Sequence, residues 1–149
     1  MDLGFYPLHA LRTLLAAEPT VISARAEFVD GVDAWMSAEL EFKGVPAHIE
    51  CSMVAERFSA TLKIVGESGE LEIRNYVGPQ MGCRFTTTVA GETTVHPTEG
   101  PTTYAAQLSN LAEVLRGAVA VTGGDDSIRH MKAMADIYRA AGGPLEARP

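Results

Sequence analysis

Between Val21 and about His96, apolar residues alternate with polar ones along short segments, and this alternation restricts the fold more than any other feature. The alternating residues are Ala24, Ala26 and Phe28; Met36, Ala38, Leu40 and Phe42; Ile49, Cys51 and Met53; Ala60, Leu62 and Ile64; Leu71 and Ile73; and Phe85, Thr87 and Val89. A period of two is typical of a strand with one apolar face. The connections are short, with turn dipeptides at Asp30-Gly31, Lys43-Gly44, Ser68-Gly69 and Ala90-Gly91. Because parallel strands need long crossovers, the pattern predicts a largely antiparallel sheet.

Helical spacing occurs on both sides of these strands. Behind Pro7, which suits the first helical position, Leu8, Leu11 and Leu15 recur at helical spacing until Glu18-Pro19 ends the segment. The last third carries two apolar stripes, one of Tyr104, Leu108, Leu111 and Leu115 and one of Ile128, Met131, Ala135 and Tyr138. The sequence therefore predicts one helix before the strands and two after them.

This order of elements predicts an α+β fold, with an open, mostly antiparallel sheet of about six strands and helices on one face. A chain of 149 residues with 46% hydrophobic content suits one domain, so we expect residues 1–149 to form a single domain. The other face of the sheet is polar and compatible with a partly wet protein interface. By alternation it carries Ser37, Glu39, Glu41, Glu50, Ser52, Thr61, Lys63, Glu72 and Arg74.

Charge and cysteine usage narrow the classes of partner and compartment. The formal net charge of −7 disfavours nucleic acid and anionic membranes, and favours small molecules or proteins as partners. Cys51 and Cys83 lie far apart without metal-site spacing, which favours free thiols in a reducing compartment over a disulfide. The sequence has no export signal and no apolar run of about 18 residues. We therefore expect a cytoplasmic protein.

Several common motifs are absent from the sequence. It has no G-x-G-x-x-G after a strand and no G-x-x-x-x-G-K-[ST], so we expect this chain by itself to bind no dinucleotide or triphosphate cofactor. His9, His48, His96 and His130 show no zinc spacing with one another or with the cysteines, so no metal is expected. A structural or surface role is favoured for His48, His96 and His130.

The opening stretch, MDLGFYPLHALRTLL, carries the remaining candidates for chemistry. Asp2, Tyr6 and His9 can each hold or move a proton, which makes an active site conceivable. The alternative is that Asp2 caps the helix, Tyr6 packs and His9 is solvated. Taken alone, these residues favour the alternative.

The order of elements changes that balance. A D-x-G-x-Y segment that opens a helix, followed by six or more antiparallel strands and closing helices, resembles the C-terminal domain of the glucose-fructose oxidoreductase, inositol dehydrogenase and MocA (Gfo/Idh/MocA) family. The resemblance covers essentially the whole chain, through DLGFYPLHALRTLLAAEPTVISA, GVDAWMSAELEFKGVPA, LKIVGESGELEIRN, TTYAAQLSNLAEVLRG and DDSIRHMKAMADIYRAAG. It implies a family architecture in which an N-terminal Rossmann domain holds NAD or NADP and carries a catalytic lysine in an E-K-P motif. The sequence contains no such domain and no such lysine.

The resemblance also implies roles for the opening residues. Asp2 and Tyr6 match the aspartate and the histidine or tyrosine that face the nicotinamide in the family, and His9 falls where members line the substrate pocket. A tyrosine hydroxyl suits a proton relay because its oxygen both donates and accepts a hydrogen bond. Lys43, Lys63 and Lys132 do not match E-K-P, so the cation that helps the phenol in the family is missing.

Three functions follow as hypotheses. The first is the substrate-binding and oligomerisation half of an NAD(P)-dependent oxidoreductase that acts on sugars, polyols or related hydroxy compounds, inactive alone in hydride transfer. Its expected partners are a small-molecule substrate, a second copy paired through the open sheet face, and a separate Rossmann-domain chain. The second is a stand-alone binding or scaffold protein with the same fold. The third is a cofactor-free lyase or isomerase, in which Tyr6 and His9 must converge on a closed pocket.

Overall fold

A computed structural model describes residues 2–120 and 122–143. Within them, three α-helices and seven strands follow one another along the chain: α1 (Phe5–Leu15), β1 (Thr20–Val29), β2 (Val32–Phe42), β3 (Val45–Ser52), β4 (Thr61–Gly66), β5 (Gly69–Arg74), β6 (Arg84–Val89), β7 (Glu92–His96), α2 (Thr103–Leu115) and α3 (Gly124–Ala140). A single 3₁₀ turn, Pro79–Met81, lies between β5 and β6. All strand pairs are antiparallel. The predicted α+β class is confirmed.

The chain divides into two compact units. The first comprises Met1–Glu56 with Thr122–Pro149, and the second comprises Arg57–Val121. The strands hydrogen-bond as two sheets, in the order β1-β2-β3 and β4-β5-β6-β7. The sequence predicts one sheet of about six strands. The hydrogen bonds instead form two sheets, one antiparallel meander in each unit.

The first unit contains a hydrophobic core built on β2. Every second residue of this strand is buried, and the buried set packs with residues of α1, β3 and α3. The core cluster comprises Leu8, Met36, Ala38, Leu40, Phe42, Ile49, Ala133 and Ile137. Glu39 and Glu41, which alternate with these residues, are exposed. Helices therefore cover one face of this sheet, as the alternation predicts.

The start of α1 differs from its predicted position. Gly4 is the N-cap and the helix begins at Phe5, so Pro7 occupies the third helical position and not the first. A proline is tolerated there because the N–H groups of the first helical turn have no partner within the helix. The helix ends at Leu15, and Ala16 adopts a left-handed conformation with φ 46°.

The buried stripe of α3 also differs from the predicted one. The structure buries His130, Ala133 and Ile137, whereas Ile128 and Met131 are exposed. The buried stripe contains a histidine, which is polar. Apolar periodicity therefore indicates a neighbouring side of the helix.

The second unit has no such core. None of its described hydrophobic residues is buried, and the apolar residues of its four strands are at best half-buried. The Thr102 hydroxyl caps α2 by accepting a hydrogen bond from the Ala105 amide at 3.1 Å. The predicted stripe of α2 faces solvent, with Tyr104, Leu108, Leu111 and Leu115 52–80% exposed.

The predicted turns join the strands of both meanders. At Asp30-Gly31, Lys43-Gly44 and Ala90-Gly91 both residues have positive φ, as type I′ hairpin turns require. At Gly69 a Cβ atom would overlap the carbonyl oxygen of Thr88, so this position needs glycine. None of the described helices is long and apolar enough to cross a membrane.

Candidate functional site

The three residues singled out in the opening stretch lie at the start of α1. Asp2 precedes the helix and is exposed, and its carbonyl oxygen accepts a hydrogen bond from the Phe5 amide at 3.3 Å. Tyr6 lies in the first turn of the helix and His9 three residues later, a spacing that makes two side chains neighbours on a helix surface. The structure therefore places Tyr6 and His9 side by side, just after Asp2.

An aromatic cluster, formed by Phe5, Tyr6, His9 and His130, joins this helix to α3. The Phe5 ring packs edge-to-face on Tyr6, with 6.1 Å between ring centroids, and stacks on His9 at 5.9 Å. Its closest ring contact is with His130, at 4.1 Å. The rings of His9 and His130 lie 5.8 Å apart. His130 is therefore a buried member of this cluster, which fits the structural role that the sequence analysis favours for it.

Arg12, whose side chain is buried, forms a polar network one turn farther along α1. Its guanidinium donates to both carboxylate oxygens of Glu18, at 2.8 and 2.7 Å, and to Oδ1 of Asp126 at 2.8 Å. It also lies 3.2 Å from Nδ1 of His130. Bidentate arginine–carboxylate pairs have a defined geometry. The network thereby fixes α1 against the first turns of α3.

The network shifts the ionisation of its members. The hydrogen bond to Glu18 raises the pKa of Arg12 above its ordinary value, and hydrogen bonds from Arg12 lower the pKa values of Glu18 and Asp126. Burial, reinforced by the charge of Arg12, lowers the pKa of His130 below that of a free histidine. At neutral pH the network thus consists of a guanidinium, two carboxylates and an uncharged imidazole.

The tautomer of His130 follows from these contacts. A guanidinium has only donors, so Nδ1 of His130 accepts the hydrogen bond from Arg12. A neutral imidazole with an unprotonated Nδ1 carries its proton on Nε2. The side chain is 1% exposed, and Nε2 has no hydrogen-bond partner among the residues that the structure describes. His130 is therefore a buried donor for which the described part of the chain supplies no acceptor.

A cavity of about 440 Å³ opens beside the Arg12 network. Its lining comprises Arg12, Thr13, Ala16, Ala17, Glu18, Asp126 and Arg129. Arg129 is paired too, with its Nε atom 3.2 Å from Oε1 of Glu18. Two cations and two carboxylates thus balance one another in the wall, and neither Tyr6 nor His9 lines the cavity.

The remaining histidines and the cysteines lie elsewhere. Nδ1 of His48 is 2.8 Å from Oε1 of Glu39 on the exposed sheet face, and Nε2 of His96 is 2.7 Å from the Thr87 hydroxyl. Cys51 and Cys83 are free thiols. Among the described residues no three His, Cys, Asp or Glu side chains are grouped so that they could hold a metal ion.

Comparison with known proteins gives the class of this fold. KijD10, a 3-ketoreductase from Actinomadura kijaniata solved with TDP-benzene and NADP, matches 93% of this chain and 46% of its own at 19% identity, with a TM-score of 0.82. GnnA, a UDP-N-acetylglucosamine 3-dehydrogenase from Acidithiobacillus ferrooxidans, matches 94% of this chain and 46% of its own at 15% identity, with a TM-score of 0.83. The chain therefore has the fold of one part of these oxidoreductases and spans about half their length.

A family model matches the first part of the sequence. The model of the GFO/IDH/MocA C-terminal domain family matches residues 1–72. A search of curated protein sequences gives no match. The resemblance to the Gfo/Idh/MocA C-terminal domain is confirmed, by the family model over residues 1–72 and by the fold shared with the solved oxidoreductases over 93–94% of the chain.

Proposed function

We propose that this chain is the substrate-binding and oligomerisation part of an NAD(P)-dependent oxidoreductase acting on a sugar, and that Asp2, Tyr6 and His9 belong to its site. The observation that carries the proposal is the position of Tyr6 and His9 on adjacent turns of α1, within an aromatic cluster, in a fold shared with sugar-nucleotide enzymes. KijD10 and GnnA make a sugar nucleotide the first substrate class to test.

Within this proposal each residue has a separate task. The hydroxyl of Tyr6 exchanges the proton of the substrate hydroxyl while hydride moves, since its oxygen can donate and accept. Asp2 orients the reacting group, and His9 binds the substrate. The side chain of Tyr6 is 45% exposed and so does not lie in a closed pocket. This exposure favours a site completed by a second domain over the cofactor-free lyase or isomerase.

The residues of this chain are not expected to bind the NAD or NADP cofactor. NAD or NADP supplies the hydride or accepts it, and its diphosphate is ordinarily held by a glycine-rich turn and a helix N-terminus. The 149 residues contain no such glycine-rich motif. We therefore expect no measurable binding of NADH or NADPH by this chain alone, and micromolar binding in calorimetry would contradict this.

A titration with UDP-N-acetylglucosamine tests the site. We expect the tyrosine and histidine resonances of Tyr6 and His9 to shift in NMR spectra of the full chain. Tyr6→Phe and His9→Ala should each weaken binding, whereas Tyr104→Phe on the exposed face of α2 should not. Equal effects of Tyr6→Phe and Tyr104→Phe, or the absence of any binding, would contradict the proposal and favour the scaffold alternative.

We also propose that two copies pair through the polar sheet faces. In the first unit this face carries exposed Glu39 and Glu41, and in the second it carries ion pairs of Lys63 with Glu70 at 2.7 Å and of Arg74 with Glu72 at 2.6 Å. Mixed charges of this kind permit self-complementary contacts about a two-fold axis. The buried area should be on the order of 1,500 Å².

Light scattering over a concentration series tests the pairing. A mass that stays at 15.9 kDa at high micromolar concentration would reject the dimer. A dimer that survives reversal of charge at both Glu39 and Lys63 would reject the sheet faces as the interface.

A further inference from the structure

His130 is a buried polar group that the proposed function does not use. Its Nδ1 atom is occupied by Arg12 at 3.2 Å, and its Nε2 atom is buried without a partner among the described residues. Leaving a buried donor unpaired is costly. Such a group in a folded protein calls for an acceptor beyond the described residues, which a ligand or a water molecule can supply.

The surroundings of His130 connect this donor with the candidate site. Its ring lies against Phe5 and 5.8 Å from the ring of His9, and both neighbours belong to the first two turns of α1 together with Tyr6. Phe5 is 42% exposed, so its free edge reaches solvent and its side chain can change rotamer without leaving the protein surface. For a ligand at Tyr6 and His9 to reach His130, Phe5 would have to rotate, because its ring lies against the imidazole.

We infer that the Nε2–H group of His130 donates a hydrogen bond to a hydroxyl or carbonyl oxygen of the sugar, as a third polar group beside Tyr6 and His9. This inference rests on the proposed function, since it assigns a further residue to the same site. Arg12 is then a positioning residue, because its hydrogen bond to Nδ1 holds the proton on Nε2.

The chemistry of an alcohol–ketone interconversion suits a donor of this kind. The oxygen of the alcohol and that of the ketone both accept hydrogen bonds, so a neutral N–H group can bind the substrate in either oxidation state. Burial, and after it the positive charge of Arg12, disfavours a second proton on the imidazole. His130 therefore keeps one fixed donor, while the exchange of the proton is left to Tyr6.

Two substitutions separate the two nitrogens of His130. His130→Asn places an amide oxygen near the position of Nδ1, so it keeps an acceptor for Arg12 and removes the donor at Nε2. His130→Gln extends farther and restores an amide N–H near the position of Nε2. Because His130→Gln has a methylene group where Nδ1 lies, it removes the acceptor of Arg12 and keeps the donor, whereas His130→Asn keeps that acceptor and removes the donor.

The experiment is an NMR titration of the ¹⁵N-labelled full chain with UDP-N-acetylglucosamine. Before addition, we expect His130 to show an unprotonated Nδ1 and a protonated Nε2. On addition, the Nε2–H resonance should shift together with His9 and Tyr6, and UDP without the sugar should leave it unchanged. His130→Asn should raise Kd about fivefold, the size expected for one hydrogen bond, and His130→Gln should bind within about twofold of the unsubstituted chain.

The outcomes distinguish this inference from the proposed function. If Tyr6 and His9 respond to the sugar nucleotide while Nε2 of His130 does not, or if His130→Asn binds normally, the inference is wrong and the proposed function stands. The same holds if UDP alone moves His130, or if the proton is found on Nδ1. If no residue of the cluster responds, both fail. Because the titration of the unsubstituted chain gives these answers, the test does not depend on the folding of a variant.

Discussion

The two compact units have similar secondary structure and very different interiors. Residues of α1, the first meander and α3 bury a continuous set that includes Leu8, Phe42 and Ile137. The second meander and α2 bury no described hydrophobic residue, although Leu108 and its neighbours form an apolar stripe as regular as any in the chain. Alternation and helical spacing thus establish that an element has an apolar face, and they do not establish that this face is covered. In the first unit, α1 and α3 bury the apolar face of the sheet, and this unit also contains the candidate site.

The largest expected effect is the loss of a core side chain in the first unit. Phe42 is fully buried, so Phe42→Ala should lower the free energy of unfolding by about 3–5 kcal/mol. Phe58 lies in the second unit and is exposed, so Phe58→Ala should change it by less than about 0.5 kcal/mol. Urea unfolding followed by circular dichroism measures both. If Phe42→Ala does not fold, the milder Phe42→Leu still permits the comparison, and equal losses at the two positions would contradict it.

The next effect concerns the arginines of the two units. Arg12→Met leaves Nδ1 of buried His130 unpaired, which should lower the free energy of unfolding by about 1–3 kcal/mol. Arg116 in the second unit makes only an exposed ion pair with Glu113, so Arg116→Met should change it by less than about 0.5 kcal/mol. The same urea experiment applies. A smaller loss for Arg12→Met than for Arg116→Met would show that the network adds nothing to stability.

A weaker effect of the same network should depend on pH. Burial lowers the pKa of His130 in the folded chain, whereas the unfolded chain takes up the proton at the ordinary value near 6.5. Between the two pKa values the unfolded state binds more protons, so the free energy of unfolding should fall as pH decreases from about 7 toward 5. His130→Leu should flatten this dependence. If the unfolding free energy of His130→Leu changes with pH as steeply as that of the unsubstituted chain, other groups cause the pH dependence.

The smallest effect is expected at the exposed stripe of α2. Leu108→Ser removes apolar surface that already faces solvent, so the free energy of unfolding should change by less than about 0.5 kcal/mol. Leu8→Ser, at a fully buried position of α1, is the matched substitution and should cost several times more. Comparable losses for the two variants would mean that α2 is covered in solution.

Local features of the fold were predictable because they depend on neighbouring residues. Turn dipeptides such as Asp30-Gly31 and Lys43-Gly44 require positive φ, and alternation along β2 identified its buried face. The division into two sheets was not predictable, since periodicity says nothing about which strands hydrogen-bond across the connection from Ser52 to Thr61.

The candidate site was predictable only in part. Asp2, Tyr6 and His9 were selected because their spacing resembles a family motif, and their roles stay predictions. The contacts of His130 with Phe5 and Arg12 could not be predicted, because they join residues more than a hundred positions apart, which no local pattern records. The one available signal was its spacing from Ala133 and Ile137, which places a histidine on a buried stripe.

The discontinuous course of the first unit also sets an order of events during synthesis. Arg12 and His130 are separated by 118 positions, so at about 5–20 residues per second the ribosome needs roughly 6–24 s to deliver the second after the first. During that interval the hairpins of β1–β3 can close, because their partners are adjacent in the chain, but the nascent meander lacks the helix that carries Ala133 and Ile137. The apolar face of β2 is then open to chaperones, and the aromatic cluster around Phe5 is among the last parts of the molecule to assemble.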